Sequence, residues 1–290
     1  MTIVFALLAA FANALNVTTQ HKASIASPPK VRGWQLVVYL FKSPLWWFGW
    51  IAIGGSFVFQ ALALSHGALS VVQSLLITEL IFALVLRRVW IGQPIRNRTW
   101  WSAVATCVLL AVFLVVAEPQ GGVTEPSRHA WVWTCGTVIG IAVVLTLVGM
   151  RGSPRRRAAL MASATAIMWA LVATFIKATM TTLSQFGVAG VFVRWPVYAL
   201  AVAGLAAEVL DQATLHVGPL SYSQPFLVVV DPIASIALSV WVFEEYFTES
   251  AGRLFVGATS FVCMCVAIFV LTTTTPPTMQ PVADSACTSP

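Results

Sequence analysis

Apolar residues fall in long runs separated by short polar or basic connections, and these runs set the architecture. Nine of the runs approach the roughly 20 residues that a helix needs to cross a hydrocarbon core of about 30 Å. The pattern predicts helices over about Thr2–Thr19, Leu45–Leu64, Ala68–Val89, Trp100–Val116, Ala130–Gly149, Ala158–Met180, Val188–Leu210, Leu220–Phe243 and Leu254–Leu271. The first run could be taken for a secretory signal. However, no Lys or Arg precedes it, and Asn13 and Asn16 interrupt it, so a retained first span is expected. Between the first two spans, residues 21–43 form a polar, basic connection. Its apolar stretch Trp34–Phe41 is too short to cross and is expected at the interface or as a partial tenth helix. Beyond residue 272 the chain is rich in Thr, Pro and Ser and cannot bury a core, so a disordered tail is expected.

Composition narrows this to one class. Of 290 residues, 59% are hydrophobic and only 9% are charged. A soluble domain carries about 25% charged residues. A soluble enzyme, a disordered chain and a secreted disulfide scaffold are therefore excluded, and an all-α polytopic membrane protein is left. The net charge of +6 does not point to nucleic acid, because its distribution follows the connections. If nine spans alternate, twelve of the sixteen basic residues share one face: Lys22, Lys30, Arg32, Lys42, Arg87, Arg88, Arg96, Arg98, Arg151, Arg155, Arg156 and Arg157. Arg128, Lys177, Arg194 and Arg253 take the other. The positive-inside rule then predicts an outside N-terminus and a cytoplasmic tail in a bacterial-type inner membrane. Membrane lipids are the expected surroundings, and the oligomeric state stays open.

Two segments repeat. Gly67-Ala68-Leu69-Ser70-Val71-Val72-Gln73 and Gly218-Pro219-Leu220-Ser221-Tyr222-Ser223-Gln224 share Gly, Leu, Ser and Gln at an offset of 151 positions. The order of helices around them also matches. Spans 1–4 (residues 1–118) would correspond to spans 6–9 (158–272), with the fifth span in a connector (119–157) and a tail from 273 to 290. An odd number of spans inverts the second half, giving an inverted 4+1+4 repeat. Many secondary transporters are built this way and place their site at the midplane between the repeats.

These segments resemble the drug/metabolite transporter superfamily. The second half best shows this superfamily's pattern, shared by its EamA-like and NIPA-like members, through Gly218-Pro219-Leu220-Ser221, Asp231-Pro232, the acidic turn Val242-Phe243-Glu244-Glu245, and Gly257 in the last span. The first half is similar to the NIPA-like branch, named for magnesium transport, through Ser43-Pro44-Leu45-Trp46-Trp47-Phe48-Gly49 and Gly67-Ala68-Leu69-Ser70-Val71-Val72. It carries Arg87-Arg88 where the second half has its acidic turn. The resemblance implies a membrane transporter. It leaves open whether the substrate is a small polar solute or a divalent cation.

Ionisable residues at bilayer depth cost about 2.5–3.5 kcal/mol on insertion scales and default to functional candidates. Glu79 and Asp231 lie near the middle of equivalent spans, offset by one residue in the repeat register. Asn13 and Asn16 stand on one face of the first span. Gln224, Asp231 and Ser235 form a stripe along the eighth, and Gln73 is the repeat mate of Gln224. Such a set could bind a cation or carry a proton. It could equally be structural, through an ion pair or interhelical hydrogen bonds. Trp169 could line the same cavity, with packing as its alternative. Glu208 and Asp211 are expected to be gating or interfacial. Most tryptophans cluster at span ends as an aromatic belt. The four histidines fall in expected connections, and the five cysteines lack metal-ligand spacing, so a resident metal is unassigned. No enzyme motif and no cofactor site is found. The expected function is therefore a gradient-driven transporter of a small polar solute. The rivals are a magnesium transporter, a lipid translocator and a non-transporting scaffold.

Overall fold

The structure is a computed structural model. It describes residues 1–25, 43–92, 96–119, 122–123, 125–150, 153–217, 220–247 and 250–274. The stretch Trp34–Phe41 and the tail from 275 lie outside the described residues. The helices are α1 (Thr2–Ile25), α2 (Pro44–His66), α3 (Leu69–Leu76), α4 (Glu79–Leu86), α5 (Asn97–Ala117), α6 (Arg128–Gly149), α7 (Pro154–Val193), α8 (Pro196–Val217), α9 (Leu220–Phe243) and α10 (Ala251–Thr274). With α3 and α4 counted as one broken crossing, nine helices among the described residues are long and apolar enough to span a membrane. The chain is an all-α polytopic membrane protein.

Local chemistry sets several ends. Pro44 and Pro154 occupy first-turn positions, where the missing N–H is not needed. Ser127 accepts from the Ala130 N–H at 3.1 Å and caps α6. A π turn, Arg87–Ile91, extends α4 and stops at Gly92, whose φ of 71° is left-handed. Lys22 there sits 5.8 Å from the Trp90 ring, joining the ends of the first and third spans.

Within each half, the first span packs along the second. On α1, Ala6, Ala9, Ala10 and Ala14 are buried, and on α7 so are Ala162, Ala164, Ala166 and Ala170. Small residues let apolar helices approach closely where hydrophobicity alone gives no drive. A hydroxyl ties each pair together. Ser56 Oγ of α2 donates to the Ala9 carbonyl at 2.9 Å, and the Thr165 and Thr214 hydroxyls of α7 and α8 meet at 2.9 Å. The third-span helices α3 and α4 pack on α1, and α9 packs on α7. Across the halves α3 meets α9, and α5 lies along α10.

Two expected boundaries change. The third span is broken, for reasons given below. The sixth and seventh spans also divide differently. The seventh crossing begins at Pro196, not Val188, and α7 runs for 40 residues. Straight, such a helix would be about 60 Å long, roughly twice the hydrocarbon core. It bends at Gly187, whose φ of 67° and ψ of −175° are reached essentially by glycine alone. Gly187→Ala should therefore lower stability by about 1–3 kcal/mol. An unchanged melting temperature in detergent would show that the bend does not depend on glycine. The histidines also move from their expected place, since His21, His66, His129 and His216 all lie at helix ends.

Candidate functional site: an acidic pair at a broken helix and a proline-bearing helix

The third span loses its regular bonding just before its acid. Thr78 N–H donates to the Leu75 carbonyl at 3.0 Å, Leu80 to Ile77 at 3.2 Å, and Ile81 to Thr78 at 3.0 Å. These are the tighter i to i+3 bonds of a 3₁₀ turn, which inside a helix often mark a functional hinge. The Thr78 hydroxyl contributes by also donating to the Leu75 carbonyl at 2.7 Å. The break makes Glu79 the first residue of α4, where the helix dipole favours negative charge. Asn13 of α1 donates its side-chain Nδ2 to Glu79 Oε2.

The eighth span stays helical from Leu220 to Phe243 but carries a helix-weakening residue beside its acid. Pro232 lies inside α9, lacks an N–H, and crowds the carbonyl four residues back at Val228. At the repeat offset of 151, residues 228 and 229 stand opposite Ile77 and Thr78. The break at Ile77 and Thr78 and the bond that Pro232 cannot make to Val228 each lie within three residues of an acid, Glu79 in one span and Asp231 in the other.

The two acids face a common region. The Asp231 carboxyl is within electrostatic reach of Glu79 and beside the Ser235 side chain. Asp231 Oδ1 and Ser235 Oγ are both enclosed without a hydrogen-bond partner, as is Gln73 Nε2 on α3. Buried polar atoms are nearly always partnered, so these orphans, with Ser74 Oγ and Arg87 Nε on the same two crossings, ask for an explanation. Among the described residues no Lys or Arg pairs with either acid. Charge balance at this depth then calls for a proton or an external cation.

The expected residues therefore separate into groups. Asn13, Glu79, Asp231 and Ser235 come together. Asn16 is buried on α1 and Gln73 on α3. The side chain of Gln224 lies outside the described residues. Trp169 does not join the acids. It sits 6.5 Å from the Phe57 ring in an apolar cavity of about 650 Å³ between α2, α7 and α8. The i+3 and i+7 positions Val172 and Ile176 line the same wall, so this face of α7 is turned toward α2 and α8. Glu208 stands at that cavity, is exposed, and accepts from Gln212 Nε2 at 2.9 Å. Asp211, one turn further along α8, is partly buried.

A second polar cluster escaped the sequence reading. Glu245, in the turn after α9, is only 2% exposed. It accepts from the Leu69 N–H at 2.5 Å, the Ser70 N–H at 3.1 Å and the Ser70 hydroxyl at 2.7 Å, so a carboxylate of the second half caps α3 of the first. Lys177 of α7 pairs with it at 2.6 Å and lies 4.4 Å from the Phe243 ring. Burial pushes the Glu245 carboxyl up, but Lys177 and these hydrogen bonds outweigh it and hold it below the usual glutamate range. The signal was a lone Lys in an apolar helix and an acidic turn assigned to the same face. The motif glycine nearby also has a reason: a Cβ on Gly67 would stand 2.2 Å from Thr2 Cγ2.

No known family pattern matches the chain, and no solved structure resembles it. Among curated proteins it is similar to an uncharacterized protein of Corynebacterium glutamicum. That protein is 25% identical over 251 residues, which is 85% of this chain and 86% of the relative. The likeness extends along most of both chains and carries no activity with it.

Proposed function

We propose that the protein is a secondary transporter that moves a small polar solute across the cytoplasmic membrane, with proton coupling through the acidic pair. The observation that carries this reading is the Asn13–Glu79–Asp231–Ser235 group, set at the break in the third span and beside Pro232 in the eighth. Secondary transporters place solute and coupling ions at discontinuous helices near the midplane, between structural repeats. The resemblance to the drug/metabolite transporter superfamily points the same way. So does the distribution of basic residues, which favours an outside N-terminus and a cytoplasmic tail.

Magnesium is the second reading, favoured by the two carboxylates and by the NIPA-like segments. Magnesium demands near-octahedral oxygen coordination and gives up its waters reluctantly. Among the described residues no group of three or more Asp, Glu, His or Cys could hold a metal ion, so a magnesium site here would rest on the two carboxylates and on retained waters. Proteoliposomes carrying the protein should exchange one solute of a labelled panel in counterflow, and should accumulate it when a proton gradient is imposed. Absence of exchange for every solute, alongside saturable magnesium uptake, would replace the first reading with the second. Magnesium is also expected to leave the unfolding temperature unchanged. Protection that saturates and disappears in Glu79→Gln/Asp231→Asn would mean that the folded site binds the ion.

A further inference from the structure

A second cavity, of about 720 Å³, opens between the start of α6, the bent end of α7 and the start of α8. Its lining includes Arg128, Arg194, Trp131, Trp195, Gln185 and Glu125. Neither guanidinium is paired with a carboxylate among the described residues. The bend at Gly187 returns the chain so that Arg194 lies 3.5 Å from the centre of the Phe186 ring. Stacking engages the flat face of a guanidinium and leaves its N–H edge available to an anion. Glu125 adds one negative charge to two positive ones, so the lining stays cationic.

The walls are stiff and amphipathic. Trp131 is stacked on Phe175 at 5.4 Å with an interplanar angle of 12°, and Trp195 meets its edge at 5.0 Å. Val132 of the lining is 67% exposed, and on the bent end of α7 that leads from Phe186 to Arg194, Val188 is 67%, Phe192 63% and Val193 85% exposed. Apolar side chains this bare belong against hydrocarbon rather than water. Arg128 and Pro196 begin their spans, so the cavity stands at the membrane boundary. A cationic pocket with aromatic walls and an apolar apron at that level fits a headgroup whose tail continues into the bilayer.

We propose that this cavity binds the phosphate headgroup of an anionic phospholipid, held at the edges of Arg128 and Arg194 with its acyl chains along Val132, Val188, Phe192 and Val193. The site is separate from the acidic pair and does not depend on the transport reading. The full-length protein, purified in neutral detergent, would be titrated with phosphatidylglycerol and with phosphatidylcholine. Native mass spectrometry would count the lipids retained, and the unfolding temperature would be followed in parallel. Wild type should retain one phosphatidylglycerol in preference to phosphatidylcholine. Arg128→Gln/Arg194→Gln should weaken that retention by about tenfold to thirtyfold, as expected for two basic residues at a membrane surface. Thr181→Trp fills the pocket without touching either cation and should weaken it too. Arg155→Gln/Arg156→Gln, at the other end of α7, should not. Wild-type retention in a folded Arg128→Gln/Arg194→Gln protein would overturn the proposal. Equal retention of both lipids, or a full thermal shift from soluble glycerol 1-phosphate, would also overturn it, the latter by pointing to a soluble anion. If that double variant fails to fold, Glu125→Gln decides: tighter retention of phosphatidylglycerol supports the site, and unchanged or weaker retention rejects it.

Discussion

Glu245→Ala should lower stability by about 3–5 kcal/mol, the scale on which removing one partner exposes the cost of a buried, unpaired charge. The loss has two parts. Lys177, with a side chain only 12% exposed, would keep its ammonium without a carboxylate. The Leu69 and Ser70 N–H groups at the start of α3 would lose their acceptor. Thermal unfolding in a single detergent measures it. The paired variant Lys177→Met/Glu245→Ala should recover part of the loss, because it no longer buries a lone cation. If Glu245→Ala melts within a degree of wild type, the network is not holding the two halves together. The pH dependence follows from the same contacts. The Glu245 carboxyl titrates lower in the folded protein than in the unfolded chain, so its contribution is present above the ordinary value of 4.5. It is lost as pH falls from there through the lowered folded value. Wild type should lose stability over that acid window, and Glu245→Gln should show a flatter profile there.

Asp231→Asn should reduce uphill, proton-driven accumulation in liposomes to the level of protein-free vesicles while leaving the fold intact. The amide keeps the shape of the side chain and removes both its charge and its titration. Its melting temperature should match or exceed that of wild type, since a buried carboxyl without a partner for Oδ1 is replaced by a neutral group. Glu79→Gln should be the milder change for structure, because the amide oxygen can still accept from Asn13 Nδ2. Counterflow, which needs no proton gradient, separates binding from coupling. Loss of driven transport with counterflow preserved assigns Asp231 to the proton. Wild-type accumulation by a well-folded Asp231→Asn protein would remove the residue from the mechanism.

Much of the fold was legible because a bilayer imposes one length and one polarity on every crossing. The eighth span, Leu220–Phe243, has the same bounds in sequence and structure. The third does not, because its break at Ile77 and Thr78 shows in the backbone bonding alone, and hydroxyl-to-carbonyl bonds like that of Thr78 leave other helices here unbroken, as at Thr106 and Thr137. The bend at Gly187 was hidden for the same reason. Glycines are common in membrane helices, and only the backbone shows which one has left the helical region. Within the site, the acids stood out as charges in hydrocarbon, and Asn13 was found by its spacing. Helical spacing tells which residues share a face, but not which neighbour that face meets, so it did not show that Trp169 stands against Phe57. Glu245 was visible as an acid and invisible as a cap, since the helix it caps lies 175 residues earlier in the chain.

The pairing of α5 with α10 bears on how the protein is made. During synthesis α5 enters the membrane among the first four crossings, yet the helix it packs along is the last of the nine among the described residues. Until Ala251–Thr274 arrives, the side of α5 that includes the buried Leu110 and Phe113 has only lipid or the insertion machinery to rest against. The last pairing to form is therefore one of very long sequence separation, the kind that slows folding. A chain stopped after the eighth crossing should insert all of its helices and still be recognised as incomplete by membrane quality control. Two fragments divided in the connector should regain stability only when they are produced together.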